Sequence, residues 1–176
     1  RRSFEDTLGR AAIADRTVAL IGAGGAGRAV AFALLDLGAA SVLVHDQDSA
    51  RAAALAATLD EHCGRGRGRS IEDLDTALPE ACGIVNATPV GMLGIPGNPI
   101  APGAIATHHW VADVIYTPLE TELIAAARAK GVRVLTGGGM CIHQAAAAFH
   151  LFTGIVPDID RMRRTFASAV AARSQR

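Results

Sequence analysis

A run of glycines set between an apolar strand and an apolar helix constrains this chain more than any other feature. Thr17 to Ile21 reads as a buried strand, and Gly22-Ala23-Gly24-Gly25-Ala26-Gly27 follows it at once. Apolar residues at helical spacing then run from Ala26 to Leu37 and end at Gly38, a natural C-cap. Gly22, Gly24 and Gly27 satisfy G-x-G-x-x-G: the first makes the turn, the second lets backbone approach a pyrophosphate, and the third lets helix and strand pack closely. A helix beginning near Gly25 aims its free N–H groups and positive dipole end at bound phosphate. The next strand, Ser41 to His45, closes on Asp46, 24 positions after Gly22, where a dinucleotide fingerprint needs an acid. The bland alternatives are a glycine turn that binds nothing and an Asp46 that merely caps a turn. Strand, turn, helix and acid in this one order favour a nicotinamide dinucleotide site.

The charge at that turn discriminates between cofactors. Asp46 accepts hydrogen bonds from ribose hydroxyls, while Gln47 and Asp48 offer no cation to a 2′-phosphate. At about 4 Å and an effective dielectric of about 20, a carboxylate opposes one further phosphate charge by about 4 kcal/mol. NAD is therefore expected over NADP. Arg51, one helical turn on, flanks the adenine or offsets part of that repulsion, which leaves room for leakage to NADP.

The remaining elements repeat the alternation. Residues 1–10 read as a short helix with Ser3 as N-cap, and Ser49 to Leu59 as an alanine-rich helix capped by Asp48 or Ser49. From Glu61 to Arg69 the pattern weakens to a loop with one poor strand. Ile71 to Leu78 reads as a short helix stopped by Pro79, Gly83 to Asn86 as a strand, and Thr88 to Pro102 as an ordered Pro/Gly-rich loop. Trp110 to Val114 is a strand, Thr121 to Lys130 a helix stopped by Gly131, and Val132 to Leu135 the last strand. Met140 to Phe152 and Asp158 to Ala171 read as helices. The expected fold class is α/β, a Rossmann-type doubly wound, mainly parallel sheet with helices on both faces.

At 176 residues the chain is one domain, 1–176. Its 17 basic and 17 acidic residues cancel, which removes the long-range field that nucleic acid or an anionic membrane would need and leaves a small molecule as the default ligand. No apolar run is long enough to span a bilayer. Three cysteines, Cys63, Cys82 and Cys141, without Cys-x-x-Cys spacing fit a reducing cytoplasm and form no disulfide framework or zinc knuckle. A start at Arg1 rather than Met suggests excision from something longer. A homodimer is compatible with the sequence and is not specified by it.

Beyond the glycine turn the chain carries Asn86-Ala87-Thr88-Pro89-Val90-Gly91-Met92, then Asp113-Val114-Ile115-Tyr116-Thr117-Pro118 leading to Thr121 and Leu123. Gly137 to Met140 follow, with Gln144, Ala145 and Phe149 on the next helix. With these motifs, in this order, the chain resembles the shikimate and quinate dehydrogenases over nearly its whole length. Many NADP-using members carry Asn-Arg-Thr where this chain has Asp46-Gln47-Asp48, so the resemblance points to the NAD-preferring branch. It implies that Gly25 and Ala26 touch the pyrophosphate, that Asp46 and Arg51 take the adenosine half, and that Thr88, Pro89, Val90, Gly91 and Met92 line the centre, with Pro99 at the border. Val114 and Gly137 would hold the nicotinamide through backbone atoms, Met140 would pack on its ring, and Gln144, with help from Tyr116, would reach a substrate hydroxyl. The implied reaction is reversible hydride transfer between the nicotinamide ring and a ring hydroxyl of shikimate or quinate. The family's catalytic lysine and aspartate belong to an N-terminal substrate domain, or to a segment just ahead of this chain, so no catalytic residue is assigned.

Other readings stay open. Gln144 is also an ordinary helix residue and Met140 an ordinary gap-filler. Another Rossmann dehydrogenase, acting on a folate or an amino acid, and a non-catalytic NAD-binding regulatory module are the rival functions. Adjacent His108 and His109, and His143 and His150 seven apart, lack the carboxylates of a metal site, so no metal is expected. Cys141 reads as a small buried side chain, and Arg65, Arg67 and Arg69, without aromatics, as a solvated loop.

Overall fold

A computed structural model describes residues 1–173, so the last three residues of the expected domain lie outside it. Six strands form one sheet: β1 (Thr17–Ile21), β2 (Ser41–His45), β3 (Gly68–Ser70), β4 (Gly83–Asn86), β5 (Trp110–Asp113) and β6 (Arg133–Leu135). All pair in parallel in the order β3-β2-β1-β4-β5-β6. The order reverses between β1 and β4, and in open α/β sheets ligands bind outside the carboxyl ends of the strands at that point.

The buried strands explain the sheet's two faces. Along β1, Val18 and Leu20 enter one core cluster while Ala19 and Ile21 enter the other. The first cluster seats the helices α1 (Arg2–Leu8), α2 (Gly25–Asp36) and α3 (Ser49–Cys63) through Phe4, Leu34, Leu55 and Leu59. The second seats α5 (Glu122–Ala129) through Leu123, Ile124 and Ala127, next to Leu78 and Ile105. The short α4 (Leu74–Ala77) and the two C-terminal helices, α6 (Gly137–Thr153) and α7 (Ile159–Arg173), complete the layers. No helix among the described residues is long and apolar enough to cross a membrane.

Several boundaries differ from the sequence expectation, each for a tertiary reason. Ser3 is not the cap of α1: it sits inside the helix, 4 % exposed, with Phe4 packed edge-on to Trp110 at 5.9 Å, so the helix starts at Arg2 and Arg1 takes the cap position. The helix expected at Ile71 starts only at Leu74, capped by Asp73, because the Ile71 amide bonds to the Val44 carbonyl and prolongs the sheet. Helix α3 runs on to Cys63, and Asp60 near its end accepts the Gly66 and Gly68 amides, which turns the chain into β3. Helix α6 begins at Gly137 rather than Met140. Three glycines read as loop by propensity, yet the Gly137 amide bonds to the Ile115 carbonyl and a Cβ there would lie 2.3 Å from the Val114 oxygen. Only glycine admits that approach.

Candidate functional site

Two hollows of about 470 Å³ each open along the carboxyl edge of the sheet and share Ala87, Thr88 and Pro89 as a common wall. The first, over β1 and β2, is lined by Gly22, Gly24, Asp46, Arg51, Val90 and Pro99 among others. The second, over β4 and β5, is lined by Ala26, Met92, Leu93, Val114, Ile115, Tyr116 and Thr117. A ligand in two linked halves fits this shape, with the glycine turn between the halves.

The turn is built from its glycines. At Gly22 φ is 102°, and a Cβ would meet the Ala87 backbone at 2.8 Å; at Gly27 a Cβ would lie 1.9 Å from the Gly22 oxygen. Gly24 and Gly25 have nothing within 4 Å of a Cβ position, so the space beside them is open to a ligand. Gly24 caps α2 without a side-chain hydrogen bond, so the first-turn amides of the helix face that space unclaimed by a cap. These residues fit a pyrophosphate.

Asp46 is the acid at the end of β2. Its Oδ2 accepts the Ala23 amide at 2.7 Å and its Oδ1 the Asp48 amide at 2.9 Å, which ties the glycine turn to the following turn. Partial burial pushes its carboxyl up, but these two amides, with Arg51 and His45 further off, outweigh the burial and hold it below the ordinary carboxylate range. Asp46 is thus a fixed anion at the mouth of the first hollow. Arg51, the cation beside it, is paired with Asp48 at 3.3 Å, and Asp48 also caps α3 by accepting the Ala50 and Arg51 amides.

Of the other expected residues, all but Tyr116 fall outside the linings. Gly25 starts α2, Gly27 packs against Gly22, and Gly91 makes a turn with φ 102° whose amide bonds to the Ile95 carbonyl. Gly137 is buried behind Val114, and Met140 is half-buried against the core with Ala23, Ala87 and Val114. Gln144 lies exposed on α6, two turns from Gly137, while Tyr116 stands 50 % exposed at the rim of the second hollow. Lys130, the chain's only lysine, is engaged elsewhere: its Nζ donates to the Gly103 and Ile105 carbonyls at the end of α5. No group of three or more His, Cys, Asp or Glu among the described residues is placed to hold a metal ion.

Behind the second hollow lies a buried polar cluster, built from Asn86, Asp113 and Thr121, to which the motifs in the sequence attach no role. Asp113 Oδ1 accepts Asn86 Nδ2 at 3.1 Å and the Ile115 amide at 3.0 Å, and its Oδ2 accepts the Thr121 hydroxyl at 2.8 Å. Asn86 in turn donates to the Val90 carbonyl and accepts the amide and hydroxyl of Thr88. Burial pushes the Asp113 carboxyl above its ordinary range against the pull of these donors. A signal existed in the sequence: polar residues at the carboxyl ends of two adjacent apolar strands.

Two family models match the chain, one described as shikimate / quinate 5-dehydrogenase over residues 5–91 and one as shikimate 5′-dehydrogenase C-terminal domain over residues 137–165. A quinate/shikimate dehydrogenase (NAD(+)) of Corynebacterium efficiens is 48 % identical over 154 residues, 86 % of this chain and 54 % of that protein. A shikimate dehydrogenase (NADP(+)) of Pseudarthrobacter chlorophenolicus is 48 % identical over 160 residues, 90 % of this chain and 54 % of that protein. Among solved structures, quinate dehydrogenase from Corynebacterium glutamicum in complex with NAD matches with a TM-score of 0.88 at 43 % identity, covering 95 % of this chain and 59 % of that one. The chain spans about half the length of the curated relatives it matches.

Proposed function

The chain belongs to the shikimate/quinate dehydrogenase family, and from that premise we propose that residues 1–176 are the NAD-binding domain of an enzyme that transfers a hydride reversibly between NAD and a ring hydroxyl of shikimate or quinate. In this reading the substrate domain belongs to a part of the protein that this chain does not span. The observation that carries the reading is the groove at the strand-order reversal. There the glycine turn, a fixed Asp46 carboxylate and residues of the loop Thr88–Met92 line two adjoining hollows that share Ala87, Thr88 and Pro89.

In this reading the first-turn amides of α2 at Gly25 and Ala26 take the pyrophosphate, and Gly22, Gly24 and Gly27 bring the backbone close enough to do so. Asp46 accepts from the ribose hydroxyls, with Arg51 and Pro99 beside the adenosine half. Thr88, Pro89, Val90, Gly91 and Met92 form the central wall. Val114 and Gly137 hold the nicotinamide end, Met140 backs it, and Gln144 and Tyr116 meet the substrate. When bound, the nicotinamide would supply the hydride donor or acceptor. The proton is handled by residues outside this chain, since Lys130 is spent on loop carbonyls. We place the complete protein in the cytoplasm, a reading supported by three unpaired cysteines.

Overall identity does not discriminate the cofactor, because NAD-named and NADP-named relatives are equally similar. The choice rests on the turn after β2, whose fixed carboxylate opposes a 2′-phosphate. Calorimetric titration with NAD and with NADP, at matched ionic strength, tests this on the native chain and on Asp46→Ala. NAD is expected to bind more tightly, and Asp46→Ala to erase the preference. Tighter NADP binding by the native chain would overturn the NAD assignment, and binding of neither would overturn the cofactor reading itself.

A further inference from the structure

Asp113 is fully buried at the carboxyl end of β5, directly opposite Asn86 in the register with β4. Neither side chain lines a hollow, yet their hydrogen bonds end on the two loops that do. On the β4 side the cluster fixes the Thr88 amide and hydroxyl and the Val90 carbonyl, and the Thr88 hydroxyl accepts the Val90 amide at 3.2 Å. On the β5 side it fixes the Ile115 amide, between Val114 and Tyr116, and through Thr121 it fixes the first turn of α5, because the Thr121 oxygen also accepts the Ile124 amide. A further link closes the mouth, where the Leu93 amide donates to the Thr117 carbonyl at 3.1 Å.

We infer that Asp113 is a positioning residue for the nicotinamide half of the site: one buried carboxylate sets the separation of the Thr88–Pro89 and Val114–Tyr116 walls between which the ring lies. The inference rests on the proposed cofactor reading and deepens it. A buried carboxylate is tolerated only where its oxygens are supplied with donors, and here the donors come from both walls. The walls therefore cannot separate without leaving that charge unpaired. The adenosine hollow shares only the Thr88 side of this arrangement and is anchored independently through Asp46, Ala23 and Asp48. Damage to Asp113 should accordingly be confined to one end of the dinucleotide, which general destabilisation would not produce.

Binding of NAD and of ADP, the latter probing the adenosine half alone, is measured on the native chain, Asp113→Ala, Asp113→Asn and Thr121→Val. Expected for Asp113→Ala is a loss of NAD affinity of about tenfold, with ADP affinity unchanged, as fits loss of a charged hydrogen-bond acceptor. Asp113→Asn keeps the shape and the Oδ1 acceptor and is expected to restore most of the NAD affinity. Thr121→Val, which leaves the carboxylate in place, is expected to shift the NAD-to-ADP affinity ratio in the same direction by less, and it carries the test if Asp113→Ala does not fold. Equal losses for NAD and ADP, or an unchanged ratio in the variants, would overturn the positioning role. If the native chain binds ADP and NAD equally, or binds neither, the cofactor reading fails and this inference with it.

Discussion

Gly24 and Gly27 stand three residues apart in one turn and answer to different constraints. A methyl group at Gly27 would be driven into the Gly22 carbonyl at 1.9 Å, while at Gly24 it would meet open space. Gly27→Ala is therefore expected to destabilise the fold by about 2 kcal/mol or more, read from urea unfolding. Gly24→Ala is expected to leave the unfolding midpoint nearly unchanged and to weaken NAD binding alone. Equal stability of the two variants would contradict this division of labour. The neighbouring turn allows a similar separation. Asn caps a helix about as well as Asp, so Asp48→Asn keeps the α3 cap while releasing Arg51 from its ion pair. The NADP-to-NAD affinity ratio should then rise, by about threefold because the pair is exposed and screened. Adding Arg51→Ala should cancel the rise. The glycine spacing and the acid were legible in the sequence because their chemistry is local. The Ala23 amide on Asp46 was not, because the bond joins residues 23 positions apart.

At the scale of elements, what propensity could not show was settled by neighbouring strands and loops. Helix α6 starts on three glycines, poor helix formers, because its first residue lies hard against the loop after β5. Helix α4 starts at Leu74 rather than Ile71 for the converse reason: the Ile71 amide is claimed by the Val44 carbonyl of β2. The Glu61–Arg69 stretch, weak as a pattern, holds the end of α3 and a turn that leads into the edge strand β3 (Gly68–Ser70), shaped by the Gly66 and Gly68 amides held by Asp60. Lys130 shows what the same context does to a tempting residue. Its ammonium fastens the end of α5 to the loop carrying Gly103 and Ile105, on the side of the sheet away from the glycine turn. Lys130→Ala is expected to cost about 1 kcal/mol of stability and to leave NAD affinity unchanged. A loss of NAD binding without loss of stability would show that Lys130 does more than clamp.

At the scale of the whole molecule, one buried histidine ties stability to mild acid. His109 is 4 % exposed, accepts the Ala106 amide through Nδ1 at 3.0 Å and bonds the Leu78 carbonyl through Nε2 at 3.0 Å, an arrangement satisfied only by the neutral ring. Burial, assisted by His108 and Lys130, holds its pKa below the ordinary value of 6.5, despite an upward pull from the Leu78 carbonyl. The unfolded chain therefore binds the proton more readily. Stability from this group is complete above about pH 6.5 and is lost as the pH falls through the window below it. Asp113, with a raised pKa, works in the opposite direction, so the comparison needs a control. Urea midpoints of the native chain should fall between about pH 7 and pH 5.5, and His109→Gln should lack that component. Parallel profiles for the two proteins would sink the assignment.

The sequence by itself determined the parallel α/β layers, the glycine turn, the acid after β2 and the loops that border the groove, because strand and helix periodicity and turn chemistry are short-range properties. Only the tertiary structure decided that Asn86, Asp113 and Thr121 form one buried cluster, that the Ala23 amide reaches Asp46, and that Ser3 is buried inside a helix. Those facts depend on which strand ends become neighbours and which polar groups lose their water. Pairing of β4 with β5 is what brings Asn86 opposite Asp113 across 27 positions of chain, and burial is what makes the bond between them consequential.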